Sequence, residues 1–231
     1  MKTVVFTSDN HSWLLGGFFH QWKKYGRGLK VEVAGFENPG FLPADVNFVS
    51  IGEMKDYPVD LWSNAIFEYL NRIDDELVLI LLEDYWLLRP INIEAVKNAE
   101  MFMEKYKNVA RLDLTTDRAL SREAVYAGTF GNLDLCSAKG EYALSFQASI
   151  YRRSILMDLL RPNESPWESE LNGTDRLNHS HFDVYGTYQW PIAYMIVMNK
   201  GRFDRDGLWM RPARTLTESD WQELEFYLFR E

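Results

Sequence analysis

A chain of 231 residues with 46% hydrophobic and 26% charged side chains is long enough to fill one sizeable core, so a single domain is expected. Its 34 acidic and 25 basic side chains leave a net charge of −9, which argues against a polyanion such as duplex DNA as partner of the whole surface, while a local basic groove stays open. Cys136 is the one cysteine, so intramolecular disulfides, thiolate zinc sites and iron–sulfur clusters are excluded, and a cytoplasmic location is the default expectation.

The first residues, MKTVVFTSDN, hold an apolar run too short for a secretory signal. No stretch of about 18 apolar residues follows, so no membrane span is expected. KTVVF reads as a buried strand, followed by the polar TSDNHS and a helix from about Trp13 to Tyr25. LKVEVAGF alternates in the manner of a strand, ENPGFLP ends it, and DVNFVSIG is a third strand. Leu61, Ala65, Ile66, Tyr69, Leu70 and Ile73 recur at helical spacing, and ELVLILL is a fourth strand ending at Glu83 and Asp84. A helix over Ile93 to Lys105 and the strand VARLDL complete an alternation that calls for a mostly parallel sheet covered on both faces.

The segment from Thr115 to Tyr142 has no sustained period and reads as a functional loop or lid. ALSFQASIY then predicts a strand, RRSILMDLL a helix, and PWESELNGTDR a helix start. The aromatic and β-branched stretch from His179 to Met210 reads as strands or a hairpin on the sheet edge, and Thr217 or Ser219 caps a terminal helix.

Ligands of open parallel sheets bind beyond the carboxyl ends of the strands. Two segments put polar groups there: Thr7 to Ser12 and Glu83-Asp84. Two carboxylates suit a hard cation such as Mg²⁺ or Mn²⁺, which keeps waters and takes substrate phosphates as further ligands. Motifs for P-loop ATPases, dinucleotide-binding dehydrogenases, serine hydrolases and zincins are missing.

With this element order, the chain resembles the glycosyltransferases of the GT-A fold. In that family a nucleotide-binding sheet is followed by an acidic metal-binding motif, usually D-x-D, at the end of the fourth strand. LILLEDYWLL stands in that place and reads Glu83-Asp84-Tyr85; SFQASIYRRSILMDLL and ESPWESE look like the family's acceptor-side strand and acid-bearing helix start. The resemblance implies an α/β fold, a single GT-A-like domain with a mostly parallel central sheet flanked by helices and with added C-terminal strands. Residues 1–112 would form the nucleotide-binding half and residues 113–231 the acceptor-side half.

The implied activity is transfer of a sugar from a nucleotide-sugar to a glycan, lipopolysaccharide or modified DNA base (a hydroxymethylated base, as in phage-encoded enzymes), assisted by Mn²⁺ or Mg²⁺. Asp84 is the first choice as metal ligand, then Glu83, with His181 of the HSH triplet as a further candidate. Thr7, Ser8 and Asp9 would meet the nucleobase and ribose, Asp113 with its neighbours Arg111, Asp117 and Arg118 the sugar pocket, and Arg153 with Arg152 and Arg176 the phosphates. Glu168 is the first choice for a general base and Glu170 the second; two residues apart on a helix, they point in different directions. Trp86, Trp167 and Trp190 are candidate platforms for a sugar or base face. Two other readings stand beside this one: a phosphoesterase using Glu83, Asp84 and Asp113 around Mg²⁺, and a non-catalytic module that binds nucleotides or glycans.

Overall fold

The computed structural model describes residues 1–199, 202–203 and 216–228. Strands β1 (Lys2–Phe6), β2 (Glu32–Gly35), β3 (Asn47–Ser50) and β4 (Leu77–Leu82) lie in the order β3-β2-β1-β4, every pair parallel. Helices α1 (Leu15–Tyr25) and α2 (Trp62–Asn71) belong to their crossovers. The sheet continues through β9 (Ser149–Arg152), β6 (Val109–Asp113), β10 (Asp183–Thr187), β8 (Leu133–Ser137) and β7 (Val125–Phe130), giving nine strands. Only β9 and β8 run against the common direction. A separate antiparallel pair joins β5 (Tyr85–Leu87) to β11 (Tyr194–Ile196), and Met198–Asn199 pairs with Arg202–Phe203 as β12 and β13.

The strict two-residue period of strands sorts the core into two layers. Val5, Leu77, Leu79 and Leu81 face one side, where α1, α3 (Ile93–Lys105) and α6 (Glu218–Leu228) pack on them. Val4, Phe6, Val78 and Ile80 face the other, against α2, α4 (Arg153–Leu159) and α5 (Pro166–Asn178). β4 is therefore apolar on both faces, and each of its fully buried side chains stabilises the fold by ~1.5–3 kcal/mol. Among the described residues no helix is long and apolar enough to cross a membrane.

Two stretches differ from the sequence expectation. The segment read as a loop from Thr115 to Tyr142 contains the β7–β8 hairpin, which turns at Gly131-Asn132 with Gly131 at φ 59° and forms the sheet edge. β7 is solvent-exposed at most positions, so it carries no apolar period to read. β10, expected at the edge, is instead inserted between β6 and β8, because the hairpin caps that side. The rest of the expected C-terminal edge structure, residues 204–210, lies outside the described residues.

Candidate functional site

β1 and β4 are neighbours in parallel register, so the segments that follow Phe6 and Leu82 emerge side by side at the carboxyl edge of the sheet. They open onto a cleft of about 620 Å³. Thr7, Ser8 and His11 line one wall and Glu83 and Asp84 the floor. Phe146, Gln147 and Glu170 close the opposite side.

The two acids sit in the tight connection between β4 and β5, where Val197 N–H donates to the Asp84 carbonyl at 3.0 Å. The Glu83 side chain is only 12% exposed. Burial, then the neighbouring Asp84 charge, pushes the Glu83 carboxyl well above its usual range, and burial lifts Asp84 to about 7. His11 Nδ1 lies 3.7 Å from Glu83 Oε1, but desolvation lowers the His11 pKa, so at neutral pH the imidazole offsets little of that charge. Among the described residues lining the cleft there is no lysine or arginine.

Such a floor fits a divalent cation. Two poorly solvated carboxylates of like charge gain from a dication between them, and the remaining ligands of Mg²⁺ or Mn²⁺ are commonly waters and substrate phosphates. Among the described residues no group of three or more His, Cys, Asp and Glu is arranged to hold a metal by itself.

Glu168 and Glu170 separate by role at the start of α5. Ser165 caps the helix: its hydroxyl accepts from Glu168 N–H at 3.3 Å, and the Glu168 carboxylate accepts from Ser165 N–H at 2.9 Å, a reciprocal capping box. These bonds from Ser165 lower the pKa of Glu168, which is exposed and does not line the cleft. The first choice for a base is thus occupied by helix capping. Glu170, two residues on, points into the cleft and accepts from Phe146 N–H at 2.7 Å. Burial raises its pKa, and the bond from Phe146 offsets part of that rise.

The other expected residues divide likewise. Thr7 and Ser8 line the cleft, while Asp9 accepts from Glu37 N–H at 2.9 Å and lines an adjoining open groove of about 750 Å³. The groove adjoins the cleft, the two sharing Phe36 and Met54 in their linings. Asp113 is fully buried, paired with Arg111 at 2.8 Å and holding the Thr115 N–H and hydroxyl, which leaves it no face on the cleft. A phosphoesterase site built on Glu83, Asp84 and Asp113 loses its third carboxylate for the same reason.

Arg153 is a correction. Its backbone N–H donates to Glu76 at 2.8 Å, just before β4 begins, so it stands at the amino edge of the sheet, away from the cleft, and its guanidinium reaches the Leu70 carbonyl. Arg152 is buried and binds the Val109, Met103 and Tyr106 carbonyls, tying off the end of α3. Arg176 grips Glu164 through two bonds of 2.8 Å. All three guanidiniums are engaged inside the fold.

His181 is the second correction. Asp183, two residues later, opens β10 opposite Val109, the first residue of β6, and β10 runs parallel to β6 and β4. His181 therefore lies at the amino edge and Asp84 at the carboxyl edge, roughly a strand length of ~17–20 Å apart. His181 is exposed against Phe182, and His179 is hydrogen-bonded to Asp175. Of the three tryptophans, Trp86 is completely buried against Gly17 of α1, and Trp190 lies under Arg89. Trp167 alone reaches the cleft.

His11, Phe146 and Gln147 are cleft residues that the sequence reading did not single out. His11 lies within the polar TSDNHS turn, whose position after β1 was the available signal. Phe146 and Gln147 precede β9 in an irregular stretch pinned by side chains. Tyr85 donates to the Phe146 carbonyl at 3.1 Å, Tyr194 binds Gln147 Oε1, and Arg111 donates to the Tyr142 and Ala143 carbonyls at 3.2 and 3.1 Å. No periodic pattern announces such a segment.

No family model matches the chain, and no curated protein matches it. Solved structures do. Mannosyltransferase PcManGT from Pyrobaculum calidifontis, in complex with GDP-Man and Mn²⁺, superposes with a TM-score of 0.54 at 12% identity, covering 87% of this chain and 57% of that one. S. aureus TarS 1-349 in complex with UDP gives 0.50 at 17% identity, covering 80% and 60%. UDP-glucose pyrophosphorylase from Acinetobacter baumanii gives 0.47 at 9% identity, covering 80% and 84%. The chain spans about 60% of the length of the TarS structure it matches. A largely parallel central sheet flanked by helices, matched to these structures at this level of similarity, makes the fold GT-A-like.

Proposed function

We propose that the protein is a glycosyltransferase that moves a sugar from a nucleotide-sugar donor to an acceptor hydroxyl, with Glu170 as general base. The observation that carries this reading is the placing of Glu170 on one cleft with Glu83 and Asp84, past the ends of β1 and β4. Thr7 and Ser8 face the nucleoside, with Asp9 in the adjoining groove offering a carboxylate to base or ribose donors. Glu83 and Asp84 would hold Mn²⁺ or Mg²⁺, which when bound neutralises charge on the departing diphosphate.

The Glu170 carboxylate takes the acceptor hydroxyl proton while the acceptor oxygen bonds to the anomeric carbon. The bond from that carbon to the nucleotide phosphate breaks, and the nucleotide leaves with the electron pair. A base on the acceptor side serves a single displacement with inversion. Its raised pKa makes Glu170 a stronger base than an ordinary carboxylate. In this reading the base comes from the half 113–231 and the nucleotide side from the half 1–112, which also contributes Pro58, Val59 and Trp62 to the cleft.

The test is a thermal-shift panel of UDP-, GDP-, CMP- and dTDP-sugars with and without Mn²⁺. At least one donor should raise the melting temperature, and more so with the ion. A panel without any shift removes the transferase reading.

A further inference from the structure

We infer that Trp167 is an acceptor platform, and that the acceptor is a neutral saccharide whose sugar ring stacks on the exposed indole. The inference rests on the transferase reading above and extends it from the donor to the acceptor.

Trp167 is 65% exposed although it is among the most apolar side chains of the molecule. Its backbone is held in place: Pro166 opens α5, and the Ser165–Glu168 capping box fixes the first turn. Glu170 follows three residues later, so the indole and the carboxylate share one helix face a turn apart, and both line the cleft. A ligand lying on the indole therefore has its edge next to Glu170, where an acceptor hydroxyl loses its proton.

The surroundings extend the platform. Pro58, Val59 and Trp62 line the same cleft, Val59 also being exposed, and Trp62 is held edge-on to Phe146 with ring centroids 4.6 Å apart. Around them stand three carboxylates, Glu83, Asp84 and Glu170, and no lysine or arginine among the described residues lining the cleft. A phosphorylated or nucleic-acid acceptor would bring more negative charge to these acids, whereas a neutral sugar brings none. Its apolar ring face suits an aromatic platform, and its rim hydroxyls suit carboxylate acceptors. Of the acceptors considered, a neutral glycan suits the described lining best.

The experiment uses the full chain with tryptophans labelled as 5-fluorotryptophan, the Trp167 resonance being assigned by Trp167→Phe. Neutral disaccharides (lactose, maltose, cellobiose and chitobiose) are titrated with UDP and Mn²⁺ present, alongside a hydroxymethylcytosine-containing duplex and dodecyl maltoside below its micelle concentration. At least one disaccharide should shift the Trp167 signal, with Trp167→Ala weakening its binding about tenfold and Trp167→Phe by no more than about threefold. No shift from any disaccharide, or equal binding by Trp167→Ala, overturns the inference, as does a preference for the duplex. Dodecyl maltoside binding far more tightly than maltose overturns it in favour of an acyl-chain site. The donor thermal-shift panel separates the two readings. A chain that binds nucleotide-sugars but no saccharide loses only the acceptor inference, and one that binds saccharide but no nucleotide-sugar loses the transferase reading.

Discussion

The Glu170 carboxylate and the Phe146 backbone N–H are joined by a hydrogen bond of 2.7 Å, and the segment bearing Phe146 is held in turn by the buried Arg111 guanidinium. The candidate base is thus oriented by main chain. The segment that carries this donor is linked to a buried ion pair, Arg111–Asp113, that does not line the cleft.

Glu170→Gln keeps an oxygen for the Phe146 N–H but removes the base. Transfer should fall ~10²–10³-fold with donor affinity unchanged, since positioned general bases contribute ~10²–10⁴-fold. Glu168→Gln, in which the cap is only weakened, should lower the melting temperature slightly and leave turnover within about twofold. Steady-state kinetics of both variants decide between the two acids. Equal losses would remove the assignment of Glu170.

The pH dependence follows from the direction of the Glu170 shift. Its pKa is raised in the folded state, so the folded chain holds that proton more tightly than the unfolded chain, and the group is least destabilising below its ordinary value of 4.5. As pH rises through the raised folded value, that part of the stability is lost. Glu170→Gln should therefore melt at a higher temperature than wild type at pH 7.5, and the difference should vanish near pH 4. Catalysis runs the opposite way, since the base works only when ionised. Thermal melts and rates over pH 4–8 check both signs.

Much of this was open to the sequence. The parallel half was legible because VVF in β1 and LVLILL in β4 are apolar runs buried on both faces, and because Glu83-Asp84 terminates the second. The edge hairpin was not, since β7 faces water, although Gly131-Asn132 between Phe130 and Leu133 was a usable turn signal. Ser165-x-x-Glu168 matches the capping-box pattern, a signal for a structural task of Glu168 that the sequence reading did not use. The depth of Asp113 and the far-edge positions of Arg153 and His181 were illegible, because they follow from strand order. β9 enters antiparallel between β4 and β6, and no local pattern encodes that.

Asp84→Asn tests the cleft floor. In wild type Mn²⁺ should raise the melting temperature, and the substitution should abolish most of that rise. His181→Ala and Arg153→Ala, at the opposite edge of the sheet, should leave the Mn²⁺ and nucleotide-sugar responses unchanged. Loss of the Mn²⁺ response in His181→Ala would contradict the strand order on which its exclusion rests.

The Arg111–Asp113 pair is the last point of leverage. Both side chains are fully buried, and Arg111 also donates to Ser149 Oγ at 3.0 Å and Ser145 Oγ at 3.3 Å. Removing one partner strands the other charge, so Asp113→Ala should cost ~3–5 kcal/mol in urea unfolding. Ser145→Ala is gentler: the ion pair survives, but one link between Arg111 and the 145–147 segment is lost. It should unfold within about 1.5 kcal/mol of wild type. If that segment orients Glu170, Ser145→Ala should lower turnover several-fold and move the acid limb of the pH–rate profile while donor affinity stays constant. A stability loss with an unmoved pH profile would show that the pair supports the fold alone.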